Sequence, residues 1–211
     1  MMNIAVISDV HGNYNALKRV IDDIKKKKIN SVIVLGDIIF SGEEPQKCFD
    51  TIKKLKPLAW IKGNTDNWFN EIDENFRPKN EIEDKIYRKF IKVNKIILTD
   101  VSKTIRKLKA KEEIQIGGKR ILCVHGSDRK IDESIGIATP PKDMNELIHR
   151  LECDILLCGH THLPYTAFSN GKLIMNVGSV GLPKDETKAS YGILTFDGDN
   201  FEYSIRKISI N

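Results

Sequence analysis

Four of the five histidines in this 211-residue chain fall inside five short clusters: Asp9-Val10-His11, Gly36-Asp37, Gly63-Asn64, His125-Gly126 and Gly159-His160-Thr161-His162. Imidazole nitrogen, carboxylate oxygen and an amide oxygen together make a donor set for first-row transition ions, and no thiolate belongs to it. Manganese suits both kinds of donor, with iron, nickel, zinc and magnesium as alternatives. Two divalent cations about 3.5 to 4 Å apart repel each other unless an anionic oxygen bridges them, and a hydroxide shared between them is a nucleophile at neutral pH. Asp37, alone after Gly36, is the residue expected to bridge the ions beside that hydroxide. In an extended His160-Thr161-His162 loop the two rings project differently, which suits one ring for each ion. Glycines 36, 63, 126 and 159 are expected to let backbone approach a metal or phosphate with no side chain in the way. The chemistry implied is two-metal hydrolysis.

Five clusters so far apart in the chain need a scaffold that brings them together. Each except Gly63-Asn64 follows directly on an aliphatic run that reads as a buried strand, so the clusters should gather along one edge of a sheet. Asn3 to Ser8 reads as a strand. Asn13 can then cap a helix carrying Leu17, Val20, Ile21 and Ile24, and Ser31 to Leu35 reads as the next strand. Pro45 suits the first turn of a second helix, with Cys48, Ile52 and Leu55 on its inner face, before a strand over Leu58 to Ile61. This alternation predicts parallel strands. Gln115 to Ile121 reads as a hairpin leading to His125, and Met144, Leu147, Ile148 and Leu151 mark a helix before a strand at Asp154 to Leu157. The tail reads as short strands at 164–168, 172–175, 190–196 and 201–207, with Asn170-Gly171 and Asp197-Gly198 as antiparallel turns. Two packed sheets with helices outside, a four-layer αββα sandwich forming one domain over 1–211, is the fold class expected.

The segment 67–110 departs from that scheme. Ile82, Ile86, Phe90, Val93 and Ile97, then Val101, Ile105 and Leu108, repeat at helical spacing and predict a cap-like helical insertion. Residues 77–120 carry 14 Lys plus Arg against 6 Asp plus Glu, a net +8 where the whole chain is +5. Such a charge could focus an anionic substrate toward the metals, or could be a solvated helical face. Trp68 and Phe69 could stack on a base or pin the insertion. His149 lies on a helix away from every cluster and reads as a surface histidine.

The order Asp-x-His, Gly-Asp, Gly-Asn, His-Gly, Gly-His-Thr-His resembles the calcineurin-like metallophosphoesterase superfamily from Met1 to about Lys207. The stretches from Gly36 to Pro45 and from Asn176 to Pro183, leading to Ala189 to Leu194, resemble its small bacterial and archaeal phosphodiesterases, including asymmetric diadenosine tetraphosphate hydrolase-like members. The resemblance implies that Asp9, His11, Asp37 and His162 hold one metal and that Asp37, Asn64, His125 and His160 hold the other. In hydrolysis by direct attack, Asn64 and His125 are expected to orient the phosphoryl group near the second metal, with Asp66 and Trp68 as candidate substrate contacts. Two positions depart from the pattern. Thr65 stands where many members carry a proton-donating histidine, and Phe40 stands where they carry an acidic residue.

A chain that is 40% hydrophobic can bury a sizeable core. The apolar run Ile4 to Ile7 is too short for a signal peptide or a spanning helix, so no membrane association is expected. Cysteines 48, 123, 153 and 158 lack metal or redox spacing and read as reduced buried thiols, which agrees with a cytoplasmic protein. The substrate expected is a small anionic phosphoester. Without a histidine donor, phosphodiester and pyrophosphate bonds of dinucleoside polyphosphates are favoured over alkyl monoesters. A metal-dependent nuclease, a broad phosphomonoesterase and a non-catalytic scaffold are the alternatives.

Overall fold

In the computed structural model of the protein the structure describes residues 1–184 and 187–210. The first half builds β1 (Met2–Ile7), α1 (Tyr14–Lys26), β2 (Ser31–Val34), α2 (Pro45–Leu55) and β3 (Ala59–Trp60). The Asn13 side chain accepts from the Ala16 N–H and caps α1, and Pro45 opens α2. The helical segment follows as α3 (Asn64–Glu71), α4 (Glu81–Asn94) and α5 (Thr99–Lys107), starting at Asn64 itself. Then come β4 (Lys111–Ile116), β5 (Lys119–Val124), α6 (Pro141–Arg150), β6 (Ile155–Cys158), β7 (Pro164–Ser169), β8 (Lys172–Val177), β9 (Lys188–Asp197) and β10 (Asn200–Ser209).

The strands form two five-stranded sheets, ordered β10-β9-β1-β2-β3 and β4-β5-β6-β8-β7. β1, β2 and β3 are parallel, as are β5, β6 and β8. The tail is therefore split. Its first hairpin joins the second sheet, with β8 parallel to β6, while β9 runs antiparallel to β1 in the first sheet. Alternation along β1 explains the layering: Ile4 and Val6 face the inter-sheet core with Ile33, Ile155 and Leu157, whereas Ala5 and Ile7 face the helices. One outer layer packs α1, α2 and the helical segment on the first sheet, and the other packs Met144, Leu147 and Ile148 of α6 on the second.

Helices α4 and α5 join the outer helical layer of the first sheet. Phe90, Val93, Val101 and Ile105 are buried in the same cluster as Phe40 and Phe49. All four cysteines are buried and free, and burial pushes the Cys48 and Cys123 thiols up to about 12. Among the described residues no helix is long and apolar enough to cross a membrane.

Candidate metal centre

The parallel strands all end at one side of the sandwich, and the chemistry-bearing residues lie just past those ends. Asp9 and His11 follow β1, Asp37 follows β2, Asn64 opens α3 after β3, His125 follows β5, and His160 and His162 follow β6. Both sheets contribute, so the clusters meet at the junction of two sheet edges and not along one. Asp9, His11, Asp37, His160 and His162 have φ between 49° and 66°. Asp and His are among the non-glycine types that enter this left-handed region most readily.

Two backbone carbonyls fix the rings. His11 Nδ1–H donates to the Phe40 carbonyl at 3.0 Å and His125 Nδ1–H to the Leu35 carbonyl at 2.7 Å. A carbonyl only accepts, so each Nδ1 carries a hydrogen and each Nε2 faces inward, where it can ligate a metal once it bears no proton. His11 Nε2 lies 3.1 Å from His162 Nε2, 3.6 Å from Asp9 Oδ1 and 3.7 Å from Asp37 Oδ2. His162 Nε2 is 3.1 Å from Asp9 Oδ1. On the other side, His125 Nε2 lies 3.5 Å from Asp37 Oδ2 and 3.0 Å from Asn64 Oδ1, which is 2.9 Å from His160 Nδ1.

The two oxygens of Asp9 differ. Oδ2 accepts from the Ser8 hydroxyl at 2.6 Å and the His160 N–H at 3.0 Å, while Oδ1 is buried with no hydrogen-bond partner. A buried carboxylate oxygen without a hydrogen-bond partner, among inward-facing imidazole nitrogens, is costly unless a cation completes the set. Two groupings of donors lie within ligand distance of one another: Asp9, His11 and His162, and Asp9, Asp37 and His125. The residues present therefore fit metal ions at two adjoining positions.

Charge in this pocket is tightly balanced. Burial disfavours a protonated His125, but Asp37 and Asp9 prevail and raise it to about 10. His11 is also raised, burial being outweighed by Asp9 and Asp37. Burial alone would raise Asp9, yet the charge of His125 and the close approach of the His11 and His162 rings hold it well below the usual carboxylate range. His160 is lowered by burial and by the neighbouring His125.

Asp66 does not face this cluster. It is fully buried, and its carboxylate accepts from the N–H groups of Asp37 at 2.7 Å, Gly63 at 3.1 Å and Ile38 at 3.2 Å. It bolts the Asp37 loop to the start of α3, and burial followed by the charge of Asp37 pushes it up to about 6. Trp68 is half-buried and packs edge-on against Phe40, with ring centroids 4.9 Å apart. Phe40 also meets Phe69 and Phe90, so its ring is wedged by the helical segment while its carbonyl orients His11. Two glycines serve loop packing instead of ligand access: a Cβ on Gly36 would overlap the Gly63 backbone, and one on Gly159 would overlap the Ser8 and Asp9 side chains. His149 is exposed, its Nδ1–H donating to the Asn145 carbonyl.

Asn176 lies outside the expected ligand set but supports it. Fully buried, it donates to the carbonyls of Ile135 and Gly159 at 2.8 and 2.7 Å and accepts from the Gly178 N–H at 3.0 Å, fixing the loop that carries His160 and His162. The available signal was one amide inside the apolar run Leu173 to Val177.

A two-sheet sandwich with paired metal-ligand groups at the ends of its parallel strands defines a metallophosphoesterase-type hydrolase. The chain matches the calcineurin-like phosphoesterase superfamily domain over residues 2–199 and belongs to that superfamily. It is 29% identical to the uncharacterized protein MJ0912 of Methanocaldococcus jannaschii, covering 97% of this chain and 86% of the relative. The hypothetical protein PH1004 from Pyrococcus horikoshii OT3 shares the fold with a TM-score of 0.82 at 20% identity, covering 99% of this chain and 88% of the other. A metallophosphoesterase from Sphaerobacter thermophilus does so with a TM-score of 0.75 at 24% identity, over 97% of this chain and 87% of its own.

Proposed function

We propose that this metal-dependent phosphoesterase cleaves phosphodiester or pyrophosphate bonds, with dinucleoside polyphosphates as its substrate class and manganese as its preferred ion. One observation carries the metal assignment: Asp37 Oδ2 lies 3.7 Å from His11 Nε2 and 3.5 Å from His125 Nε2, between the two histidine groups. Asp9, His11, Asp37 and His162 would hold one ion, and Asp37, Asn64, His125 and His160 would hold the other. When bound, such ions supply an activated water and neutralise phosphoryl charge.

The residues do the positioning. Asp37 Oδ1 is fixed by the Thr65 N–H at 2.9 Å, which leaves Oδ2 free to bridge. Asn64 and His125 stand together and can orient the phosphoryl group. The choice of bond rests on three positions, among the described residues, that offer no proton to a leaving group. Thr65 is buried, Asp66 is saturated by three backbone N–H groups, and Phe40 is apolar. A leaving group that departs as a stable phosphate anion needs no proton from the enzyme. The lysines of α4, within the net-positive segment 77–120, add an electrostatic argument. Lys92 lies 3.5 Å from Glu43, on a loop that shares a cavity of about 350 Å³ with His11, and Lys85 and Lys89 are exposed on the same helix.

The test is to strip the protein with chelator, restore Mn, Mg, Ni, Fe or Zn separately, and assay diadenosine tetraphosphate, cyclic nucleotides, aryl diesters, alkyl monoesters and single-stranded DNA. Diadenosine tetraphosphate with Mn is expected to give the highest kcat/KM. Preference for alkyl monoesters with a flat dependence on leaving-group pKa would sink the donor-free reading, and preference for DNA with steep salt dependence would make the protein a nuclease.

A further inference from the structure

A second cavity, of about 230 Å³, lies beside the metal-ligand loop and takes no part in the scheme above. Its walls come from the segment 133–140, the inner face of α6 at Leu147, and Thr161 with Leu163. Thr161 sits between His160 and His162, and consecutive Cα atoms are about 3.8 Å apart, so this wall is one residue from both ligand histidines. Gly136 packs against the Thr161 side chain, and the Ile135 carbonyl accepts from Asn176, which also holds the Gly159 carbonyl. The pocket is thus built into the framework that fixes the site.

Its chemistry is specific. Two guanidinium groups line it, but each is already paired, Arg150 with both oxygens of Asp128 at 2.7 and 2.8 Å and Arg129 with Glu133. No cation is left over for a phosphate. Asp143 and Ser134 add polar groups to the lining, the rest of the wall is largely aliphatic, and two long apolar side chains stand in water at its mouth, Ile137 at 79% and Leu163 at 43% exposure. Apolar groups held exposed around a concave apolar wall mark a ligand surface. The volume is below the roughly 300–1,000 Å³ of clefts that take whole drug-sized ligands, which suits one ring system.

We infer that this cavity is the base-binding subsite of the enzyme, taking the flat, uncharged nucleobase of a nucleoside polyphosphate whose phosphates lie at the metals. The inference rests on the function proposed above and gives that site its substrate selectivity. Ile137 and Leu163 clasp the ring faces, and the Thr139 hydroxyl, which accepts from the Gly136 N–H at 2.9 Å, keeps a proton to donate to a ring nitrogen or carbonyl.

Ala138 lines the cavity from an exposed position, so Ala138→Trp can fill it without disturbing the core. The Mn-loaded variant and wild type are compared on diadenosine tetraphosphate and on inorganic tripolyphosphate, which offer the same bond with and without a base. The ratio of kcat/KM values should fall at least tenfold in the variant, through KM for the nucleotide. An unchanged ratio overturns the base subsite while leaving phosphoesterase function standing. If wild type hydrolyses neither compound, adenosine is titrated into ¹⁵N-labelled protein. Shifts at Ile137, Thr139 and Leu163 that are lost in Ala138→Trp support the subsite independently of catalysis, and their absence overturns it.

Discussion

In the metal-free protein His125 should hold a proton at physiological pH, and binding metal should expel it. The imidazole is fully buried beside Asp37 and Asp9, whose charges raise its pKa to about 10. At pH 7.5 removing that proton costs about 3 kcal/mol, at about 1.4 kcal/mol per pKa unit. A ligand imidazole must be neutral, so proton and metal compete for Nε2. The apparent affinity of the ion held by His125 should therefore rise about tenfold per pH unit between pH 7 and 9, where an ordinary imidazole of pKa about 6.5 would already have levelled off. Chelator-buffered Mn titrations at several pH values measure the slope. Calorimetry in two buffers of different ionisation enthalpy should count about one proton released from this group per ion bound at pH 7.5. Stability follows the same sign. Because the folded pKa lies above the unfolded one, the stabilisation of the metal-free protein by this proton is complete below about pH 6.5 and is lost as pH rises through about 10. Affinity that is flat above pH 7, with no proton released, would refute the reasoning.

Asp37→Asn should keep its fold by circular dichroism and lose more activity than the roughly 10–100-fold typical of outer-shell partners, because an amide cannot hold two cations together as a carboxylate does; wild-type turnover at unchanged metal content would remove Asp37 from the bridge. Asp66→Ala should lower stability by about 3 kcal/mol or more in urea melts, since it leaves three backbone N–H groups without their acceptor. Full stability with a raised KM would instead make Asp66 a substrate contact. Phe90→Ala should cost about 3–5 kcal/mol by cavity formation and also weaken metal binding, since Phe90 packs on the ring of Phe40 and the Phe40 carbonyl orients His11; unchanged Mn affinity would confine its role to packing.

Much of this was legible in the sequence because local pattern and tertiary burial agree. Leu17, Val20, Ile21 and Ile24 repeat at helical spacing and all four are buried in α1, and Asn170-Gly171 is a two-residue turn with both φ angles positive. What stayed hidden was which sheet each strand joins. β8 follows an antiparallel hairpin turn, but its parallel pairing with β6 is a contact that local pattern does not encode. Side-chain direction was equally hidden. Asp66 follows Thr65, close to the proposed ligand Asn64, yet its place in the first turn of α3 turns its carboxylate onto the backbone of the Asp37 loop. The segment 67–110 reads as a cap-like insertion by its helical spacing, and the apolar positions of that spacing, Phe90, Val93, Val101 and Ile105, pack in the outer helical layer.

The strain in the ligand loops bears on whether the metals build the site or enter one already made. Five of the seven residues proposed as ligands occupy the left-handed backbone region, at a cost of order 1 kcal/mol each, and such conformations persist only where neighbouring structure over-determines them. Here the loops determine one another. Asp9 N–H donates to the Gly36 carbonyl at 3.0 Å, His11 N–H to Asp37 at 2.9 Å and Gly12 N–H to Ile38 at 2.7 Å. On the other flank Val180 N–H donates to the Ser8 carbonyl at 3.0 Å and Gly181 N–H to Asp9 at 2.9 Å. None of these bonds passes through an ion, so the centre should differ from small metallodomains that fold only when loaded. Chelated protein is expected to keep its far-UV circular dichroism, and amides 9, 11, 12, 180 and 181 should keep their protection from hydrogen exchange. Loss of protection at those amides on chelation, restored by Mn, would show instead that the ions hold the loops in their strained form.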